Sequence, residues 1–288
     1  LDEKREGLTL VRDKYPVLGL PIIRGAVTFV DSMVKGVKAL MFSADYFPDE
    51  DVAEPSKFDQ WLEKKLGNEK MQKFITALAV FLSLGLTILL FFLLPTFLAG
   101  FIDPYIKSAA VHNLVESVIK LVIFFAYMIL CSKQKDIYRV FQYHGAEHKC
   151  INCVEHGHPL TVKYVRESSK EHKRCGTSFI LIVMVISILM FMVIRVDTIW
   201  MRILSRIILV PVIAGISYEV LQCAGRSNSK FMDLVSRPGM WMQGLTTKEP
   251  DDSMIEVAIV AVEAVFDWKK YLEENFPEQY PAGYFERE

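Results

Sequence analysis

Residues Phe74 to Leu98 carry no charge and are dominated by Leu and Phe. That stretch limits the fold more than any other feature. About 20 helical residues cross the hydrocarbon core of a bilayer, and a segment in lipid must satisfy its own backbone, which makes it a helix. Three further segments follow the same rule. Leu114 to Cys131 carries Glu116 and Lys120 four apart, where an i,i+4 pair can form. Ser178 to Ile194 is uncharged, and Ile203 to Cys223 carries Arg206 near its start and Glu219 near its end, with a kink expected at Pro211. The first and third are apolar on every face, which suits lipid better than a soluble bundle. With 52% hydrophobic residues but 23% charged, polar segments must alternate with membrane ones. The expected fold class is an all-α polytopic membrane protein: four transmembrane helices, amphipathic cytoplasmic helices, and a cytoplasmic loop carrying a metal motif.

Basic residues orient the helices. Lys64, Lys65, Lys70 and Lys73 precede the first span, and residues 132–177 hold nine Lys and Arg, whereas the 102–113 connection holds only Lys107. The positive-inside rule then puts both termini and the central loop in the cytoplasm. All five cysteines, Cys131, Cys150, Cys153, Cys175 and Cys223, fall on that side, where thiols stay reduced and can serve metals. The partner these features imply is a lipid bilayer. A net charge of −1 with scattered basic residues gives no reason to expect nucleic acid. The chain divides into an amphipathic interfacial helix and acidic linker (1–72), a four-helix membrane domain with its metal-motif loop (73–223, loop 132–177), and a cytoplasmic C-terminal segment (224–288).

His144-Gly-Ala-Glu-His148 carries the chemistry. Side chains four apart share a helix face, so His144 and His148 can hold one ion, and the spelling H-x-x-E-H is the inverted zinc motif of one metallopeptidase class. Two zinc schemes compete. In one, both histidines join a downstream ligand among His172, Cys175 and Glu219, a position stays open, and Glu147 activates water as general base. In the other, Cys150-x2-Cys153 and His172-x2-Cys175 close a four-ligand structural site. Helix periodicity puts Cys150 and Cys153 on a different face from His148. Glu219, an ionisable group in the last turns of a span, needs a partner, water or an ion.

Four stretches, Tyr143-His-Gly-Ala-Glu-His-Lys149, Arg174-Cys-Gly-Thr-Ser-Phe179, Pro211-Val-Ile-Ala-Gly-Ile-Ser-Tyr-Glu219 and Leu245-Thr-Thr-Lys-Glu-Pro-Asp-Asp252, occur in order. Together they resemble the YqhQ family of bacterial membrane proteins, whose function is unknown and which are predicted to be metal-dependent enzymes. The likeness runs from about Ile23 to near Val265. It implies a membrane protein with His144, Glu147, His148, His172 and Cys175 as the functional positions. Family members often have Pro where this chain has Lys173, and Cys150 and Cys153 are not part of the family pattern. The family's Gly- and Met-rich start is missing, so the chain is expected to begin inside a longer one.

The remaining segments read as support. Ile22 to Ala44 is expected to be an amphipathic helix, either lying under the bilayer or packed against the central loop, and Asp45 to Pro55 an acidic linker. His156-Gly-His158-Pro marks a turn. Ser253 to Glu256 spells a capping box for a helix through Trp268, with Ile255, Ile259, Val262 and Phe266 on one face. Asp251 and Asp252 complement its N-terminus, and the tail from Glu273 is expected to be loosely ordered. Two functions are open. One is a zinc-dependent membrane-interface hydrolase of peptide, lipid or other amide or ester. The other is a non-enzymatic scaffold or partner in membrane-protein insertion or envelope assembly.

Overall fold

Helix is the only regular structure among the described residues. The computed structural model describes residues 15–44, 68–106, 108–173, 175–193, 199–226 and 229–286; the expected linker at Asp45 to Pro55 lies outside them. In chain order the helices are α1 (Ile23–Ala44), α2 (Asn68–Ile88), α3 (Leu94–Gly100), α4 (Ala109–Ser132), α5 (Lys135–Glu155), α6 (Val162–Glu167), α7 (Gly176–Val193), α8 (Ile199–Arg226), α9 (Lys230–Thr246), α10 (Asp252–Glu263) and α11 (Trp268–Asn275). They fall into two compact units, one within Leu1–Phe124 and Phe191–Asp197, the other within Phe125–Met190 and Thr198–Glu288.

Four stretches are long and apolar enough to cross a membrane: Ala77–Gly100, Val111–Ser132, Gly176–Val193 and Ile208–Arg226. Each overlaps a span expected from the sequence, and the chain is a membrane protein. In the first unit, a π-helical turn, Leu89–Leu93, joins α2 to α3. Its cause is Pro95, which has no N–H to give and would press on the carbonyl one turn back; the wider turn relieves both. The pair anticipated on α4 forms, with Lys120 Nζ 2.7 Å from Glu116, and Thr96 donates to the same carboxylate at 3.0 Å. On α1, Lys35 pairs with Asp31 at 2.6 Å.

The second unit has the buried core. Ala146, Cys150, Cys153 and Val154 line one face of α5 and pack against Leu160, Val165, Ile255, Ala258, Trp268 and Leu272. Their spacing of four, three and one keeps them on one side of the helix. Gly157, in the left-handed region at φ 78°, makes the predicted turn after α5, and the Phe276 ring fills the space a side chain there would need.

Three C-terminal expectations need correction. The cap of α10 is Asp251, which accepts from Met254 N at 3.0 Å, while Ser253 sits inside the helix and donates to Asp251 at 2.6 Å. Asp251 reaches the free N–H groups two residues earlier than the expected box would. The helix also stops at Glu263, and a separate helix starts at Trp268 because Asp267 caps it, accepting from Lys270 N at 3.0 Å. Nor is the tail loose. Phe276, Tyr280 and Phe285 pack on the core, Tyr280 donates to Gly157 O at 3.1 Å, and Glu273 accepts from Gly283 N and Phe285 N.

Candidate metal centre

Helix α5 presents two working faces besides the core one. His144, Glu147, His148 and Ile151 line a cleft of about 330 Å³, closed on the other side by His172, Cys175 and Gly176. The third face grips the segment leading to Cys175. Lys149, buried, donates to the carbonyls of Arg166 at 3.0 Å and Ser168 at 2.9 Å and pairs with Glu249 at 3.1 Å, using all three of its protons. Asn152 donates to the carbonyls of Ser169 and Glu171 at 2.7 and 2.9 Å.

Both histidines are held by the same device. His144 Nδ1 lies 2.9 Å from Thr246 O, and His148 Nδ1 lies 2.7 Å from Lys170 O. A carbonyl only accepts, so each Nδ1 donates and Nε2 of each ring is left as the atom that can take a proton or a metal ion. Metal-binding histidines are oriented in this way, the far nitrogen donating to a carbonyl or carboxylate. Cys175 supplies the third donor. One donor atom from each of His144, His148 and Cys175 lies within 4.8 Å of the others. Cys175 Sγ is 3.4 Å from His144 Nε2. Two donors around tetrahedral zinc, with bonds of about 2.1 Å to nitrogen and 2.3 Å to sulfur, would be ~3.5 Å apart. That one pair has the separation of two ligands on a tetrahedral ion, and the three residues together could hold a metal ion.

Electrostatics agree. Burial would push the Cys175 thiol up, but His144, His148 and the Thr177 hydroxyl and N–H outweigh it and bring it down to about 5. The same contact with Cys175 raises His144 above the ordinary histidine value, against its partial burial. Sulfur and Nε2 can thus carry either a proton or a metal ion between them.

The sequence had offered five metal ligands, and the structure brings three together. His172 does not join them: its Nε2 is turned to Glu155 at 3.1 Å, and its ring centre is 6.0 Å from that of His148. Glu219, on α8, is outside the group as well, the third corner being taken by Cys175. The four-ligand scheme fails. Cys150 and Cys153 lie in the apolar core, where burial pushes their thiols up to about 12 and about 11. His156 bonds to Asn152 O and His158 stacks on Tyr164, both outside the cleft.

Several residues that build the centre were not picked out in advance. Gly145 lets the chain at Lys248 cross α5, since any side chain there would overlap the Lys248 carbonyl; Lys248 N donates to Phe141 O at 2.8 Å. That crossing sets Thr246 O against His144. Gln243, fully buried, accepts from His172 N and donates to His172 O, both at 2.8 Å, and also reaches Ser178 Oγ. Asp252 pairs with Arg166, and Glu249 with Lys149 and Lys170. The stretch Leu245 to Asp252 was the available signal, but its role depends on backbone carbonyls, which sequence does not mark.

Fold and site together define an all-helical membrane protein with a His/His/Cys cluster able to bind a metal. The family described as "Protein of unknown function (DUF1385)" matches residues 20–268, and the chain belongs to it. It is 36% identical over 259 residues to "Uncharacterized protein YqhQ" of Bacillus subtilis (strain 168), covering 89% of this chain and 80% of that one. No solved structure matches the chain.

Proposed function

We propose that this protein is a zinc-dependent hydrolase working at the cytoplasmic face of a bacterial inner membrane. The observation that carries the reading is the convergence of His144, His148 and Cys175 with both histidines locked, each Nδ1 on a carbonyl and His144 Nε2 facing the Cys175 sulfur. Three protein ligands with a position open to a cleft are the pattern of catalytic zinc rather than structural zinc, which takes four. Zinc held there would polarise a substrate carbonyl and make water acidic enough to react near neutral pH. Glu147, exposed on the same face of α5 and lining the cleft, takes the proton from the attacking water. His172, paired with Glu155 at the cleft wall, can return a proton to the leaving group.

Metal content of the purified protein tests this. The parent should carry one equivalent of zinc, and cobalt in its place should show thiolate-to-metal absorption. His144→Ala, His148→Ala and Cys175→Ala should each lose the ion, while His156→Ala keeps it. Retention of parent stoichiometry by all four variants would remove the site.

A further inference from the structure

The residues of α9 that hold the centre, Gln243 and Thr246, share a buried face with Ser236, Gly239 and Met242. The opposite face is apolar too, yet exposed. Phe231, Leu234, Pro238 and Trp241 follow one another at helical spacing, with Phe231 69%, Leu234 59% and Trp241 65% exposed. Such a stripe is a liability in water and marks a surface that something covers.

Two contacts of α9 bear on what covers it. Trp241 packs edge-on against Phe125 at 5.3 Å, and Phe125 belongs to the span Val111–Ser132. On the other side of α9, Gly239 touches Ser178 so closely that a side chain would collide with it, and Gln243 donates to Ser178 Oγ at 2.8 Å. Ser178 lies in the first turn of the span Gly176–Val193. One helix therefore touches two spans, and the second contact is at that span's first turn, where a chain enters the bilayer. Lys230 and Arg237 on α9 are exposed and long enough to snorkel to phosphate headgroups, while the third charge of its first two turns, Asp233, pairs with Lys173 at 2.6 Å. Trp is favoured at that depth.

We propose that α9 is an in-plane membrane helix whose face from Phe231 to Trp241 is bedded in lipid acyl chains, holding the His144/His148/Cys175 cleft at headgroup depth. One helix diameter, roughly 10 Å, then separates lipid from the residues that pin the centre. The surface does not require the metal; it adds to the proposed function the depth at which the cleft works.

Trp241 reports on it directly. The full chain is reconstituted in vesicles of phosphatidylethanolamine and phosphatidylglycerol, with and without brominated acyl chains, and compared with Trp241→Phe to isolate the Trp241 emission. Brominated chains should lower that emission by roughly half or more, and aqueous iodide should leave it nearly unchanged. Quenching by iodide without quenching by bromine means water covers the face, and quenching by neither means protein covers it, a second copy included. Either result overturns the proposal. A nitroxide on Leu234→Cys, with Cys131 and Cys223 changed to Ser, gives an independent reading: it should collide more with dissolved oxygen than with an aqueous nickel chelate, and the reverse order overturns the proposal even if Trp241→Phe folds poorly. Zinc is assayed on the same samples. Full zinc without lipid quenching sinks only the lipid face, and lipid quenching without zinc sinks only the hydrolase.

Discussion

The side-chain amide of Gln243 takes both backbone groups of His172, accepting from its N–H and donating to its carbonyl at 2.8 Å each, across 71 residues of sequence. A fully buried Gln used in this way substitutes for a strand neighbour, and it fixes the turn that delivers Cys175 to the histidines. Gln243→Leu keeps the bulk and leaves buried polar groups of His172 and Ser178 without this partner. Each such loss costs about 1–3 kcal/mol, so the variant should be destabilised by about 2–4 kcal/mol in a denaturation series in detergent. Zinc affinity should fall at least tenfold, as for lost supporting contacts around other metal sites.

Gly145 gives a sharper case. A methyl group there would overlap the Lys248 carbonyl, and the two neighbours of that crossing, Thr246 and Glu249, hold His144 and Lys149. Gly145→Ala should cost about 2 kcal/mol or more through overpacking and should weaken zinc binding as well. Ala at Gly244, where a side chain would meet nothing, serves as the control and should bind zinc like the parent.

What could be read from sequence and what could not divide along physical lines. Spans were legible because lipid imposes one requirement on every residue of a long segment, as in Phe74 to Leu98. The separation of His148 from Cys150 and Cys153 followed from helical periodicity alone, and α5 is one uninterrupted helix carrying both. The third ligand was ambiguous among His172, Cys175 and Glu219, because that choice is made by contacts far apart in sequence, Gln243 on His172 and Glu155 on its ring. The C-terminal helix was misjudged for a local reason: Asp251 and Asp267 each compete as caps, and the hydrophobic pattern from Ile255 to Phe266 runs smoothly across the break.

The thiols should separate by acidity. Cys175 is held at about 5, Cys150 at about 12 and Cys153 at about 11. With zinc removed, iodoacetamide should modify Cys175 with a rate that climbs through pH 5 and is flat by pH 7, and peptide mapping should find Cys150 and Cys153 unmodified throughout. The sign for stability follows. A thiol whose folded value is depressed contributes stability that is complete above its unfolded value, about 8.5, and lost as pH falls through 5. His144, raised, contributes below about 6.5 and loses its share as pH rises through its folded value. Stability of the metal-free protein should therefore fall off at both ends, and Cys175→Ser should flatten the acid side.

Orientation is best tested at Lys163, exposed next to the buried core. Cys150 is a poor reporter because it is buried in the apolar core, and Cys175 because a metal ion in the cleft would cover its sulfur. In intact cells an impermeant maleimide should leave Lys163→Cys unmodified, and in inverted membrane vesicles it should modify it fully. Labelling from outside would reverse the topology inferred from the basic residues, and with it the reducing compartment that the Cys175 ligand needs.

Glu147→Gln decides between catalysis and scaffolding. Glu147 is exposed, lines the cleft, and is not one of the three converging donors. Gln keeps its shape and its place on α5 but cannot accept a proton at neutral pH. Zinc content and melting temperature should stay within error of the parent, since neither the ligands nor the core is touched. If Glu147 is the general base, the variant should lose at least a hundredfold in turnover of any ester or amide substrate found for the parent, in keeping with what positioned proton transfer supplies. It should also fail to restore a deletion strain that the parent restores. A scaffold with a structural ion predicts full restoration by Glu147→Gln, and that single result would end the hydrolase reading while leaving the metal centre in place.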